Sequence, residues 1–206
     1  MLRVYRIPFS TNVERVALAA GHKGLQIEWI DVDPADRSPV RAMSGQDLVP
    51  VAVFDDGSVV FDSTAILEEL ERRHPEPALY PHGEARRAET RLFIDWFNRV
   101  WKRPPNELEA ELSSDRPDNA RAKALAAELA GSRDLFEALL AGRRYLLGET
   151  LSAADCAAFP FLKYGLLYDP GDEELFHRLL AEHLSLDRAY PLLEAWIRRV
   201  DGHPRA

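Results

Sequence analysis

The sequence predicts an α/β domain followed by an all-α domain. Three observations carry that prediction. Over roughly the first 80 residues, short apolar runs of strand type alternate with stretches of helical periodicity. Asp55-Asp56-Gly57 separates two apolar runs as a tight hairpin signal. From Gly83 onward there is no convincing strand, only long helical patterns.

Taken in order, Leu2 to Tyr5 is a short apolar run suited to a strand. Val13 to Ala20 (VERVALAA) has helical spacing and is stopped by Gly21 and Gly24. Gln26 to Val32 (QIEWIDV) alternates as a second strand. A polar, arginine-containing stretch through Ser44 and Gly45 carries no predicted element. Val49 to Phe54 and Ser58 to Phe61 form strands three and four, antiparallel across the hairpin turn. A helix follows from about Thr64 to Arg73, closed by His74-Pro75, because the residue before a proline is pushed out of the helical region.

The second half is predicted to hold helices over Glu84 to Arg103, Pro117 to Leu140, Ser152 to Leu167, Asp172 to Leu184 and Arg188 to Val200. Pro104-Pro105 is expected to end or kink the first, since proline lacks a donor and clashes with the preceding turn. LYPHG, Leu79 to Gly83, is the expected linker. Domains are therefore expected at residues 1–80 and 83–206.

Composition narrows the function. With 26 basic and 34 acidic residues the chain carries a formal net charge of −8, which excludes a uniformly basic nucleic-acid footprint. Cys156, the single cysteine, lies in an apolar helical run (AADCAAFPF) and is read as core; it excludes intrachain disulfides and Cys-x-x-Cys redox pairs. The histidines are scattered without metal-ligand spacing, so no metal is expected. No apolar run approaches a membrane span, and Arg3 and Arg6 interrupt the start where a signal peptide would be apolar. The expected location is the cytoplasm.

Three places carry chemistry. Val49-Pro50 opens a strand before a hairpin, where proline sits either as an edge residue or in a cis peptide. In PFSTNVERV, Ser10, Thr11 and Asn12 are helix caps, each at a position where exposed amides and the helix dipole also favour a thiolate. Asp62-Ser63 precedes the next helix. It caps that helix, and the same amides suit a small carboxylate while Asp62 suits an ammonium, together the end of an α-amino acid.

In this order and spacing, Ser10 followed by Arg15-Val16, then Val49-Pro50, Asp62-Ser63 and Leu151-Ser152-Ala153-Ala154-Asp155, the chain resembles the serine-type cytosolic glutathione transferases over nearly its whole length. The resemblance implies a thioredoxin-like N-terminal domain (βαβ-ββα) that binds glutathione, and an all-helical domain that forms a pocket for small hydrophobic electrophiles. It implies a homodimer, a role in detoxification, glutathione as co-substrate and no permanently bound cofactor. Carried over by residue, Ser10 donates to the thiol sulfur, Val49 pairs with the ligand's cysteinyl backbone beside Pro50, and Asp62 and Ser63 hold the γ-glutamyl end. Phe9, Arg99, Tyr164 and Tyr168 are candidates for the electrophile pocket.

Leu48 and Asp47 depart from the family pattern. Leu48 replaces a polar residue, and an inward Asp47 would set a like charge against the ligand, at roughly 2–3 kcal/mol for ~6 Å. Arg37, Arg41 and Gln46 are nearby candidates to offset it. The departures leave two alternatives beside the enzyme: a non-catalytic binding module on the same scaffold, and a transferase using another low-molecular-weight thiol.

Overall fold

The computed structural model describes residues 1–206. They form two compact units: Met1–Arg87 together with Gly202–Ala206, and Ala88–Asp201.

The first unit is built on a mixed four-stranded sheet in the order β2-β1-β3-β4, with β1 Leu2–Arg6, β2 Ile27–Asp31, β3 Val51–Val53 and β4 Val59–Phe61. β1 and β2 run parallel, joined by the crossover helix α1, Thr11–His22. β1–β3 and β3–β4 are antiparallel. The expected hairpin is present: Gly57 adopts φ +81 and donates to the Phe54 carbonyl at 3.0 Å, a conformation glycine takes without a steric cost. α3, Ser63–Arg73, packs on α1, and their shared face buries Val16, Ala20, Ile66, Leu67 and Leu70 completely or nearly so. The order β-α-β then β-β-α matches the expected one.

The polar stretch does contain a helix, α2, Ser38–Ser44, ended by Gly45 in the left-handed region at φ +74. Its seven residues bury only Val40, too little apolar surface to show a helical period in the sequence. The expected linker also changes character. Leu79 and Tyr80 are buried, and their backbone N–H groups donate to Glu71, whose carboxylate also holds the buried Lys23 ammonium at 2.7 Å. Lys23 further donates to the carbonyl of Pro77 at 2.9 Å. The C-terminal residues close this unit: Ala206 N–H donates to Ala17, Trp29 Nε1 donates to the Ala206 carbonyl at 2.9 Å, and Gly21 leaves room for the Pro204 backbone.

The remaining helices are α4 Glu84–Trp96, α5 Arg103–Leu112, α6 Asn119–Leu139, α7 Ala153–Leu162, α8 Leu175–Leu184 and α9 Pro191–Asp201. The helical stretch from Glu84 ends at Trp101, just before Pro104-Pro105 as expected, and the prolines start the next helix. α4 passes through a π-helical turn, Phe97–Trp101, and the prolines occupy the first turn of α5, where no intrahelical donor is required. The expected helix to Leu167 stops at Leu162, with a 3₁₀ turn over Lys163–Gly165. Phe97, Trp101, Phe136 and Phe161 form a buried aromatic cluster; Phe97 and Trp101 stack at 4.4 Å. α7 is buried along its entire length, Cys156 included. Asp155, fully buried on it, accepts from Leu146 N–H, Ser152 N–H and hydroxyl, and Trp196 Nε1, all within 2.8–2.9 Å. No helix is long and apolar enough to cross a membrane.

Candidate functional site

The register of the first sheet brings three segments to one end of it. Tyr5 pairs with Val51, and Val51 pairs with Phe61, so the three residues form one row across β1, β3 and β4. Just beyond that row, β1 leads into the loop before α1, β3 is preceded by Val49-Pro50, and β4 leads into Asp62 and α3. The Val49-Pro50 peptide is cis. Val49 lies outside the β3 ladder and packs against the Val32, Val40 and Val51 cluster. The N-termini of α1 and α3, whose first amides have no acceptor within their own helix backbone, both lie at this end.

The local backbone there is unusual. The only non-glycine residues with positive φ are Phe9 (φ 63) and Asp62 (φ 71), one immediately before each helix cap or forming it. Such conformations cost about 1–3 kcal/mol each and concentrate at functional sites. Ser10 caps α1, with Val13 N–H donating to its hydroxyl over a long 3.4 Å. Asp62 caps α3 more tightly: its Oδ1 accepts from Thr64 at 2.8 Å and Ala65 at 3.2 Å. Ser63 is buried, and its hydroxyl accepts from the guanidinium of Arg15 at 3.3 Å. Phe9 is exposed at the rim.

Ahead of Val49, Asp47 is held by Arg41 in a bidentate pair, 2.7 Å on each arm. The hydrogen bonds from Arg41 keep its carboxyl below the usual carboxylate range. Arg37 donates to its carbonyl at 3.3 Å. Gln46 brackets Leu48 from both sides, accepting from its N–H at 2.6 Å and donating to its carbonyl at 2.9 Å, while the Leu48 side chain is exposed. Arg15, Arg41 and Gln46 thus contact the candidate residues Ser63, Asp47 and Leu48. The signal for Arg15 was its place five residues after Ser10, at the head of the apolar run Val16 to Ala20. Arg41 and Gln46 gave none beyond their proximity.

The candidates in the second unit are placed otherwise. Arg99 lies on the solvated face of its helix, paired with Asp95 at 2.6 Å. Tyr164 and Tyr168 are neighbours, 6.3 Å between rings, and both converge on Asp172: Tyr168 donates to its carbonyl at 2.6 Å and Tyr164 to its carboxylate at 3.4 Å. His177 Nδ1 meets the same carboxylate at 2.7 Å and stacks on Tyr164. Asp172 and His177 escaped the sequence reading because their pairing depends on a loop folding back onto α8. A separate cavity of about 590 Å³ in the first unit opens among Leu2, Leu25, Phe54 and Arg73, at the opposite end of the sheet from the three segments. No group of side chains is arranged to hold a metal ion.

Residues 4–78 match the family of the glutathione S-transferase N-terminal domain, and residues 111–204 that of its C-terminal domain. Glutathione S-transferase 3 of Zea mays is 30% identical over 164 residues, 75% of this chain and 73% of that one. FtsZ-localized protein A of Caulobacter vibrioides is 28% identical over 169 residues, again 75% and 73% of the two chains. Among solved structures, a glutathione S-transferase from Rhodospirillum rubrum F11 superposes with a TM-score of 0.76 at 26% identity, covering 99% of this chain and 89% of that one. The sheet order, the cis-Pro50 turn and the all-helical second unit are thus those of a chain that belongs to the glutathione S-transferase family.

Proposed function

We propose that this protein conjugates glutathione, activated by the Ser10 hydroxyl, to small hydrophobic electrophiles. The observation that carries this reading is the convergence of Ser10, Val49-Pro50 and Asp62-Ser63 at one end of the sheet by strand register. Ser10 donates to the sulfur at the α1 N-terminus, where the dipole favours the thiolate. A free thiol of pKa ~8.5 is a few per cent ionised at pH 7, and lowering it by ~1.5–2 units, roughly 2–3 kcal/mol, makes the thiolate predominant. The long Val13 contact leaves the hydroxyl lightly engaged and able to turn to a ligand. Val49 supplies backbone pairing for the cysteinyl residue, and Asp62 and Ser63 bind the γ-glutamyl end. The Arg41 pair offsets the charge of Asp47, which favours an anionic tripeptide over the alternative of another thiol.

On this reading residues 1–80 bind the thiol and 83–206 supply the electrophile pocket, with Phe9, Arg99, Tyr164 and Tyr168 as its proposed residues, in a cytoplasmic homodimer. Tyr164 and Tyr168 act there through their ring faces, since their hydroxyls are engaged with Asp172. A second reading, a non-catalytic binding module, is favoured by the likeness to FtsZ-localized protein A.

Calorimetry with glutathione and turnover of a generic aryl halide decide between them. The enzyme reading expects binding and turnover, and expects Ser10→Ala to lower kcat about 10- to 100-fold while raising the pKa of the bound thiol. Absence of both binding and turnover, with Ser10→Ala indistinguishable from the parent, would overturn it and leave the binding module.

A further inference from the structure

We propose that Arg15 is a positioning residue for the carboxylate end of the thiol ligand, acting through Ser63; this rests on the reading above that Asp62 and Ser63 hold the γ-glutamyl group. Arg15 is 2% exposed, on the face of α1 that also buries Val16 and Ala19. Its guanidinium crosses from α1 to the first residue of α3 and donates to the Ser63 hydroxyl, a buried contact between residues 48 apart. Burying a guanidinium is costly, and this one reaches a hydroxyl at the proposed binding end of the sheet.

The geometry has a chemical consequence. A guanidinium only donates, so the Ser63 oxygen acts as acceptor toward Arg15 and its single O–H is left to be donated elsewhere. In the first turn of α3, Asp62 Oδ1 takes the N–H groups of Thr64 and Ala65, whereas the Ser63 N–H has no acceptor within the helix. Ser63 therefore presents two donors at one point, which suits a carboxylate oxygen. The cation behind the hydroxyl polarises it and strengthens its donation. Without Arg15 the hydroxyl is free to rotate and act as an acceptor, which repels a carboxylate.

The test is a double-mutant cycle in the full-length protein, with Arg15→Gln, Ser63→Ala and their combination. Two probes are titrated: glutathione, and its analogue with 4-aminobutyrate in place of the γ-glutamyl residue, which lacks the α-carboxylate. Each single substitution is expected to raise the glutathione Kd about tenfold, and the pair no more than either alone, because both remove one shared interaction. The analogue is expected to bind all variants alike, the loss is expected on KM rather than kcat, and Arg15→Lys is expected to recover part of the affinity. Additive losses in the pair, an equal loss with the analogue, or a loss confined to kcat overturns the role of Arg15 while the glutathione site stands. A parent protein that binds neither probe overturns the site and this inference together. Where Arg15→Gln does not fold, the cycle is run with Arg15→Lys, which is expected to lose less affinity than Ser63→Ala and to add nothing to its loss in the pair; additive losses overturn the role of Arg15.

Discussion

Arg41 grips both carboxylate oxygens of Asp47 at 2.7 Å, three residues before cis-Pro50. The charge that stood against an anionic ligand is thereby met by a cation from α2, a helix hidden in the sequence. Arg41→Ala is expected to weaken glutathione binding about two- to fivefold at low salt, and less at high salt, because exposed charges are screened beyond a Debye length. Asp47→Asn added to it is expected to restore binding. Both partners are largely solvated, so thermal stability should barely move. Calorimetry at two salt concentrations checks this, and an unchanged Kd in Arg41→Ala would place Asp47 too far from the ligand to matter.

Glu71 is the hub of the first unit. Its carboxylate receives the Lys23 ammonium and the N–H groups of Leu79 and Tyr80. Glu71→Ala leaves a buried cation with carbonyl partners only and strands two amides. The expected loss is about 3–5 kcal/mol, readable as a shift of the urea midpoint at unchanged slope.

Asp155 plays the corresponding part in the second unit, accepting from Leu146, Ser152 and the Trp196 indole. Asp155→Ala removes the acceptor from all of them and is expected to cost about 3 kcal/mol or more, since each stranded buried donor costs about 1–3. Asp155→Asn keeps one acceptor oxygen and should lose less. Denaturant titration followed by tryptophan fluorescence distinguishes the two, and equal losses would refute the hydrogen-bond account.

Acid should act through Glu69. Hydrogen bonds from Arg72 and Arg73 pull its carboxyl from 4.5 down to about 2. A carboxylate whose pKa is lower folded than unfolded binds fewer protons in the native state, so its contribution is complete above pH 4.5 and disappears as the pH falls toward about 2. Glu69→Gln is therefore expected to be less stable than the parent at pH 7, with the gap closing on acidification. Tm measured across that range checks it; a gap independent of pH would assign the loss to packing.

What the sequence determined by itself was local and ordered. Apolar alternation, the Asp55-Asp56-Gly57 turn and the helix stops set the strands and most helices, and the spacing of Ser10, Val49-Pro50 and Asp62-Ser63 picked out the candidate site residues, because such signals are written in neighbouring positions. Tertiary structure decided the rest. Pro104-Pro105 opens α5 because a π-helical turn precedes it, and α2 survives on one buried valine and a glycine cap. The partners of Ser63, Glu71 and Tyr164 could not be read in advance, and for Asp47 the sequence offered Arg37, Arg41 and Gln46 without choosing among them. A charged or hydroxyl side chain takes its chemical character from what burial places against it. For Ser63 that partner lies 48 residues away on another helix, a separation no local pattern spans.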